Sequence, residues 1–163
     1  MTDHVDTILA QWRRERPDVD ASPVGPLGRI SRLAQYLGQN IAAHHRSLGL
    51  NSGEFDVLAT LRRSGAPYRL TPTALLQSAL LSSGAMTNRL NRLEQAGHIR
   101  RIPDPQDRRS LLVELTEQGQ ELIDRAFEAH IENERQLLQQ LPPQQLQQLD
   151  DILRQWLTRL ENE

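Results

Sequence analysis

"RLTPTALLQSALLSSGAMTNRLNRLEQAG", residues 69–97, decides the fold. Thr71 stands before Pro72, and a hydroxyl cap followed by proline at the first helical position predicts a short helix to about Ser78. Ser82 can cap a second helix, which Gly97 ends. Two short helices joined by a tight turn form a helix-turn-helix. On the second helix Met86, Leu90, Leu93 and Gly97 share one face, while Gly84, Thr87, Asn88, Asn91, Arg92 and Gln95 occupy the other. That second face is small, polar and rich in hydrogen-bonding groups, the chemistry that suits base edges in a groove.

Working downstream, "HIRRIP" and "SLLVEL" are β-prone runs that bracket "DPQDRR", which predicts a hairpin with a charged tip. A helix-turn-helix followed at once by such a hairpin is a winged helix, so the predicted fold is mainly α with a small β-hairpin wing. Thr116, with Gln118 and Gly119 behind it, starts a long helix through Leu122, Ile123 and Ala126 to Leu141. Pro142 and Pro143 break it. Leu146, Leu149, Leu153, Trp156 and Leu160 then follow with the spacing of a packed seam.

Upstream, Val5, Ile8, Leu9 and Trp12 line one face of a short helix that stops before Pro17. Pro17, Pro23 and Pro26 read as a linker, and Leu27, Ile30, Leu33, Leu37, Ile41 and Leu48 keep helical spacing beyond it. Asn51 or Ser52 caps a further helix whose core face carries Phe55, Leu58 and Leu61, with Asp56 on the opposite side. The expected organisation is one domain: an N-terminal helix and linker over 1–26, a winged-helix core over about 27–125, and helices over 126–163. The apolar seam of the last segment, together with the apolar N-terminal helix, exceeds what a winged helix needs to cover itself, so the N- and C-terminal helices are expected to form a homodimer interface.

The 163 residues include no Cys, which excludes disulfides and thiolate metal sites. No apolar run reaches membrane-spanning length, and the first residues lack the order of a signal peptide, so a cytoplasmic protein is expected. The five His show no metal-ligand spacing, the adjacent His44 and His45 face about 100° apart on a helix, and neither G-x-S-x-G nor a P-loop occurs. The expectation is no enzyme, no cofactor and no metal. Charge distribution says more than the net charge of −2: from Arg89 to Arg109 there are six Arg against Glu94, Asp104 and Asp107. Such a patch needs an external anion, and DNA phosphate is the natural one.

These residues resemble the MarR family of winged-helix transcription regulators. Asp107, Arg109, Leu115 and Thr116 match that family's wing signature D-x-R-x5-L-T, Gly119 stands at its usual place behind it, and "LTPTALLQSALLSSGAMTNRLNRLEQAGHIRR" is similar to the family's helix-turn-helix nearly end to end. The resemblance implies a homodimer on a pseudo-palindromic double-stranded DNA operator, with one helix in each major groove and one wing tip in each minor groove. On this reading Ser82, Ser83, Gly84, Thr87, Asn88, Asn91 and Arg92 face the major groove. Arg108 enters the minor groove, and Asp107 orients Arg108 or Arg109.

The segment "WRRERPDVDASP" is similar to the urate-responsive branch of the family. That branch places a Trp on an extra N-terminal helix, an Asp, an Arg on the recognition helix and an Arg at the start of the wing around its effector. Trp12, Asp56, Arg89 and Arg101 carry those residue types here. The resemblance therefore implies a repressor released by a small planar anion such as urate, another purine or a phenolic acid, with Asp56 holding Arg101 when the ligand is absent. A winged-helix dimer that binds DNA without any effector is the alternative.

Overall fold

A computed structural model describes residues 2–78, 86–105, 107 and 110–162. Among these lie seven helices and three strands: α1 (His4–Glu15), α2 (Val24–Ser47), α3 (Ser52–Arg63), β1 (Arg69–Leu70), α4 (Pro72–Ser78), α5 (Met86–Gln95), β2 (Ile99–Pro103), β3 (Leu111–Leu115), α6 (Glu117–Leu138) and α7 (Pro143–Glu161). The chain divides into two compact units, residues 1–43 and 44–163, with the division inside α2. None of these helices is long and apolar enough to cross a membrane.

In the first unit Asp3 caps α1 through the backbone N–H groups of Val5 and Asp6, and the Asp6 carboxylate returns to the Asp3 N–H, a complete capping box. Val5 and Leu9 are buried, with Gly25 and Gly28 of α2 against them. Arg29 ties the two helices together, its Nε 2.7 Å from Asp3 and its Nη2 2.6 Å from Asp6. This guanidinium holds the Asp3 carboxyl below its ordinary range. The expected linker ends sooner than its prolines suggested: α2 starts at Val24 and carries Pro26 in its first turn, where backbone N–H groups have no helical partner to lose.

The second unit holds the core. Leu58 and Leu61 of α3, Leu75 of α4, Leu90 and Leu93 of α5, Ile99 and Val113 of the sheet and Ile123 of α6 are almost completely buried together. Asn51 is the cap of α3, with Glu54 completing its box. The sheet order is β1-β3-β2, all antiparallel. The two-residue β1, too short to show alternation in the sequence, pairs Arg69 with Glu114 and Leu70 with Val113. None of the residues of α7 is buried, and Leu149, Ile152, Leu153, Trp156, Leu157 and Leu160 stand exposed along it.

One turn couples the sheet to the helices on either side. Gly97, at φ +76°, ends α5 with the His98 N–H on the Leu93 carbonyl, a left-handed cap. Thr116 then caps α6, accepting from the Gly119 N–H at 3.0 Å and donating to the Gly97 carbonyl at 2.7 Å. A Cβ on Gly119 would lie 1.9 Å from the His98 carbonyl oxygen, so glycine is required by that close approach. Gly119→Ala should destabilise the fold by about 2–3 kcal/mol. Gly38→Ala, in α2 with nothing within 4 Å of the new methyl, should stabilise it by about 0.5–1 kcal/mol. Denaturant titration checks both, and an unaffected Gly119→Ala variant contradicts the account of this turn.

A polar chain centred on the buried His45 crosses the same unit. Ser52 Oγ lies 3.1 Å from His45 Nδ1, His45 Nε2 lies 3.2 Å from His130 Nδ1, and His130 Nε2 lies 3.2 Å from Glu134. The carboxylate can only accept, so His130 donates to it, His45 donates to His130 and Ser52 donates to His45. His45 also stacks on Phe55 at 4.1 Å. Burial pushes the His45 pKa down to about 4, with His130 and His44 adding to the shift. Its unfolded value near 6.5 is higher, so the unfolded chain binds the extra proton and stability falls as pH drops from about 6.5 toward 4. The loss from this one group between pH 7 and pH 5 should be about 2 kcal/mol. Urea melts at the two pH values should show that drop in the parent and a smaller one in His45→Phe; equal drops overturn the assignment.

Candidate nucleic-acid interface

The cap of α4 forms as its sequence predicts, with the Ala74 N–H 3.1 Å from Thr71 Oγ1. Ser82, Ser83 and Gly84, expected to begin the second helix of the motif, lie outside the described residues, as do Arg108 and Arg109 at the wing tip. The described part of α5 separates its faces cleanly. Met86, Leu90 and Leu93 are buried, Thr87, Asn88, Asn91, Arg92 and Gln95 are exposed, and Arg89 and Glu94 sit on the two borders. The spacing of 100° per residue produces this division, since the apolar residues recur at i, i+4 and i+7.

The wing rises from β2 and β3, paired in register from Ile99–Leu115 to Pro103–Leu111. At its neck the Asp104 N–H donates to the Ser110 carbonyl, and the Ser110 N–H donates to the carbonyl of the exposed Asp107. Arg100 donates to the buried Glu114 across the strands at 2.6 Å.

Arg101 lies on β2, an edge of the sheet, where a backbone N–H faces outward. Glu94 of α5 takes that N–H at 3.1 Å with one carboxylate oxygen and Arg101 Nη1 at 2.8 Å with the other. Arg101 Nη2 reaches Asn91 Oδ1 at 2.6 Å. The arginine at the root of the wing is thus fastened to the exposed face of α5 by three hydrogen bonds.

Arg89 takes the opposite flank. Its guanidinium lies over Gly53 in the first turn of α3, where a Cβ would be 2.3 Å from Nε. Asp56 follows three residues later on α3 and, although its spacing sets it opposite the core face of that helix, it is buried at 7 % exposure. The expected Asp56–Arg101 pair does not form: among the described residues Arg101 is ion-paired to Glu94. The reason is angular, since Glu94 and Asn91 stand about 140° and 200° around α5 from Arg89, the residue that approaches α3.

Trp12 belongs to the first unit. It continues the apolar stripe of α1 but is 49 % exposed, and it lines a hollow of about 270 Å³ with Arg16, Val19, Asp20, Ala21, Pro23 and Val24. The structure therefore connects Arg101 with Asn91 and Glu94 and brings Arg89 to the turn before Asp56. The roles of Gly53 and Glu94 escaped sequence reasoning. For Glu94 a signal existed in its position, seven residues before Arg101 across the Gly97 turn.

Arg92 adds a looser pair, 3.7 Å from Glu54, and its side chain is 65 % exposed. A pair of this kind contributes little in water and exchanges readily for a phosphate. Arg92→Ala should change the melting temperature by less than about 2 °C, corresponding to under about 0.5 kcal/mol. Calorimetry checks this, and a large loss would make Arg92 a structural residue.

Comparison with known proteins adds to this geometry. The family model described as the MarR family matches residues 48–110. The chain is 43% identical over 134 residues to the HTH-type transcriptional regulator PecS of Dickeya dadantii, covering 82% of this chain and 81% of that one. Among solved structures, a point mutant of MarR from E. coli complexed with operator DNA aligns with a TM-score of 0.70 at 26% identity, covering 81% of this chain and 94% of that one. Sco3205 from Streptomyces coelicolor, a MarR family transcriptional regulator in complex with DNA, aligns with a TM-score of 0.72 at 25% identity, covering 86% and 92%.

Proposed function

The chain belongs to the MarR family of DNA-binding transcription regulators, and we propose that it is a homodimeric repressor released from a pseudo-palindromic operator by a small planar anion. The polar face of α5 carries the reading: Thr87, Asn88, Asn91 and Arg92 stand exposed on a helix whose other side is locked into the core. Ser82, Ser83 and Gly84 would extend that face toward the helix start. Arg108 would enter the minor groove, where negative potential is focused, with Asp107 orienting Arg108 or Arg109. Similarity to two proteins crystallised with DNA supports the same docking.

The exposed apolar residues of α7 support a dimer formed by the N- and C-terminal helices, because a second copy of the chain offers the same seam in return. Two copies present two α5 helices to half-sites about one helical turn apart.

For the effector, the half-exposed Trp12 would supply a stacking ring, and Arg89, whose guanidinium lies over Gly53 in the first turn of α3, would supply a cation. Urate is the first candidate, with related purines and phenolic acids next. Arg101 would join such a site only by leaving Glu94, which replaces Asp56 as the carboxylate that competes for it. The anion and Glu94 then exchange one guanidinium, and the wing root moves relative to α5. A coupling of about 1–3 kcal/mol would change operator affinity roughly 5- to 150-fold.

Trp12 and Trp156 are the two indoles of the chain, so a Trp156→Phe background leaves Trp12 as the sole reporter. Titrating urate should quench Trp12 and weaken operator binding together, and Arg89→Ala should bind operator but lose the ligand response. Absence of both effects below millimolar urate, other purines and phenolic acids would leave a DNA-binding dimer without an effector. Arg108→Ala should lower the slope of log affinity against log salt by about one, and an unchanged slope contradicts the wing assignment.

A further inference from the structure

The contact between Arg101 and Asn91 bears on which bases the protein can read. A guanidinium has only N–H donors, so the Asn91 atom 2.6 Å from Arg101 Nη2 must be the carbonyl oxygen. The orientation of this exposed amide is therefore fixed by chemistry. Arg101 is itself held, with its backbone N–H and Nη1 both on Glu94 at 3.1 and 2.8 Å, and its side chain is largely covered. Asn91 thus offers a groove its two Nδ2 donors and the one lone pair of Oδ1 that Arg101 does not take.

An unconstrained asparagine reads adenine with both ends of its amide, accepting from N6 and donating to N7. Here one lone pair of Oδ1 already accepts from a cation, and the second would have to accept from N6 with the Arg101 charge beside it, which weakens that half of the pairing. An amide that donates better than it accepts fits guanine, whose N7 and O6 are both acceptors, and it fits cytosine, which offers a donor, worst. The geometry points to Arg101 as a positioning residue for specificity: it biases Asn91 toward donating, so the base pair facing Asn91 is read as guanine in preference to adenine. This inference rests on α5 entering the major groove. It also gives an anion that draws Arg101 away a second effect, a change in base preference alongside the loss of affinity.

The test uses the full-length chain and a duplex that it selects from a randomised library. Each base pair of the half-site is replaced in turn, symmetrically in both halves, and affinities are measured by fluorescence anisotropy. Asn91→Ala locates the pair that Asn91 faces, since only there should preference flatten. At that pair the parent should favour guanine, and Arg101→Met, which keeps most of the aliphatic stem, should raise the adenine-to-guanine affinity ratio at least about fivefold. Asn91→Asp keeps an acceptor for Arg101 but has no donor, so it should lose the guanine preference with a melting temperature no lower than the parent's. That separates base reading from any structural role. An unchanged ratio in Arg101→Met overturns the inference, as does an Asn91→Ala variant with unaltered preference everywhere. If Thr87→Ala and Asn88→Ala also leave preference unaltered, the placement of α5 fails with it; if they alter it, only the constraint on Asn91 fails.

Discussion

Thr116 is the point on which the second unit depends. Its hydroxyl donates to Gly97 and accepts from Gly119, and its N–H donates to the His98 carbonyl at 3.1 Å, the group that also presses against Gly119. The end of α5, the start of β2, the end of β3 and the start of α6 are thereby held within one turn. An L-T followed three residues later by Gly thus has a mechanical meaning: Leu115 fills the core, Thr116 closes the junction, and Gly119 leaves room for a carbonyl. The end of α5, the helix proposed to read DNA, is thus held to the sheet by a cap as well as by the core.

The arginines around this junction follow a common rule. Glu94 holds Arg101, Glu114 holds Arg100 and Glu54 stands near Arg92. The basic segment is therefore less bare than its sequence suggests, since each of these arginines has a carboxylate within the fold. The pairs differ in how far they are shielded. Arg92 is exposed and can trade its distant partner for phosphate at little cost, whereas Arg101 is covered and triply bonded, so moving it requires a ligand that repays the lost hydrogen bonds. That gradient separates an arginine suited to binding DNA from one suited to switching.

Much of this was legible in the sequence because it depends on local rules. Thr71-Pro72, Asn51 with Glu54, and Thr116 with Gly119 are capping signals that act within four residues. The face of α5 follows from a period of 3.6. What stayed hidden depends on angles and on contacts distant in sequence. The partner of Arg101 could not be read from residue types alone, because Asp56 of α3 and Glu94 of α5 offer the same carboxylate and only the flank of α5 that meets the wing root decides between them. The burial of His45, 85 residues away from its partner His130, leaves no local trace. The two-residue β1 is likewise set by the strand it joins, and Gly53 is marked only by the side chain that lies on it.

The central claim is that the polar face of α5 enters successive major grooves as a symmetric pair. Dimethyl sulfate protection tests it most directly, since guanine N7 lies in the major groove. The account predicts two symmetric patches of N7 protection on an operator duplex, centred about one helical turn apart, with protection weakened by Asn88→Ala. Tight binding without N7 protection, or with a single unpaired patch, would contradict it.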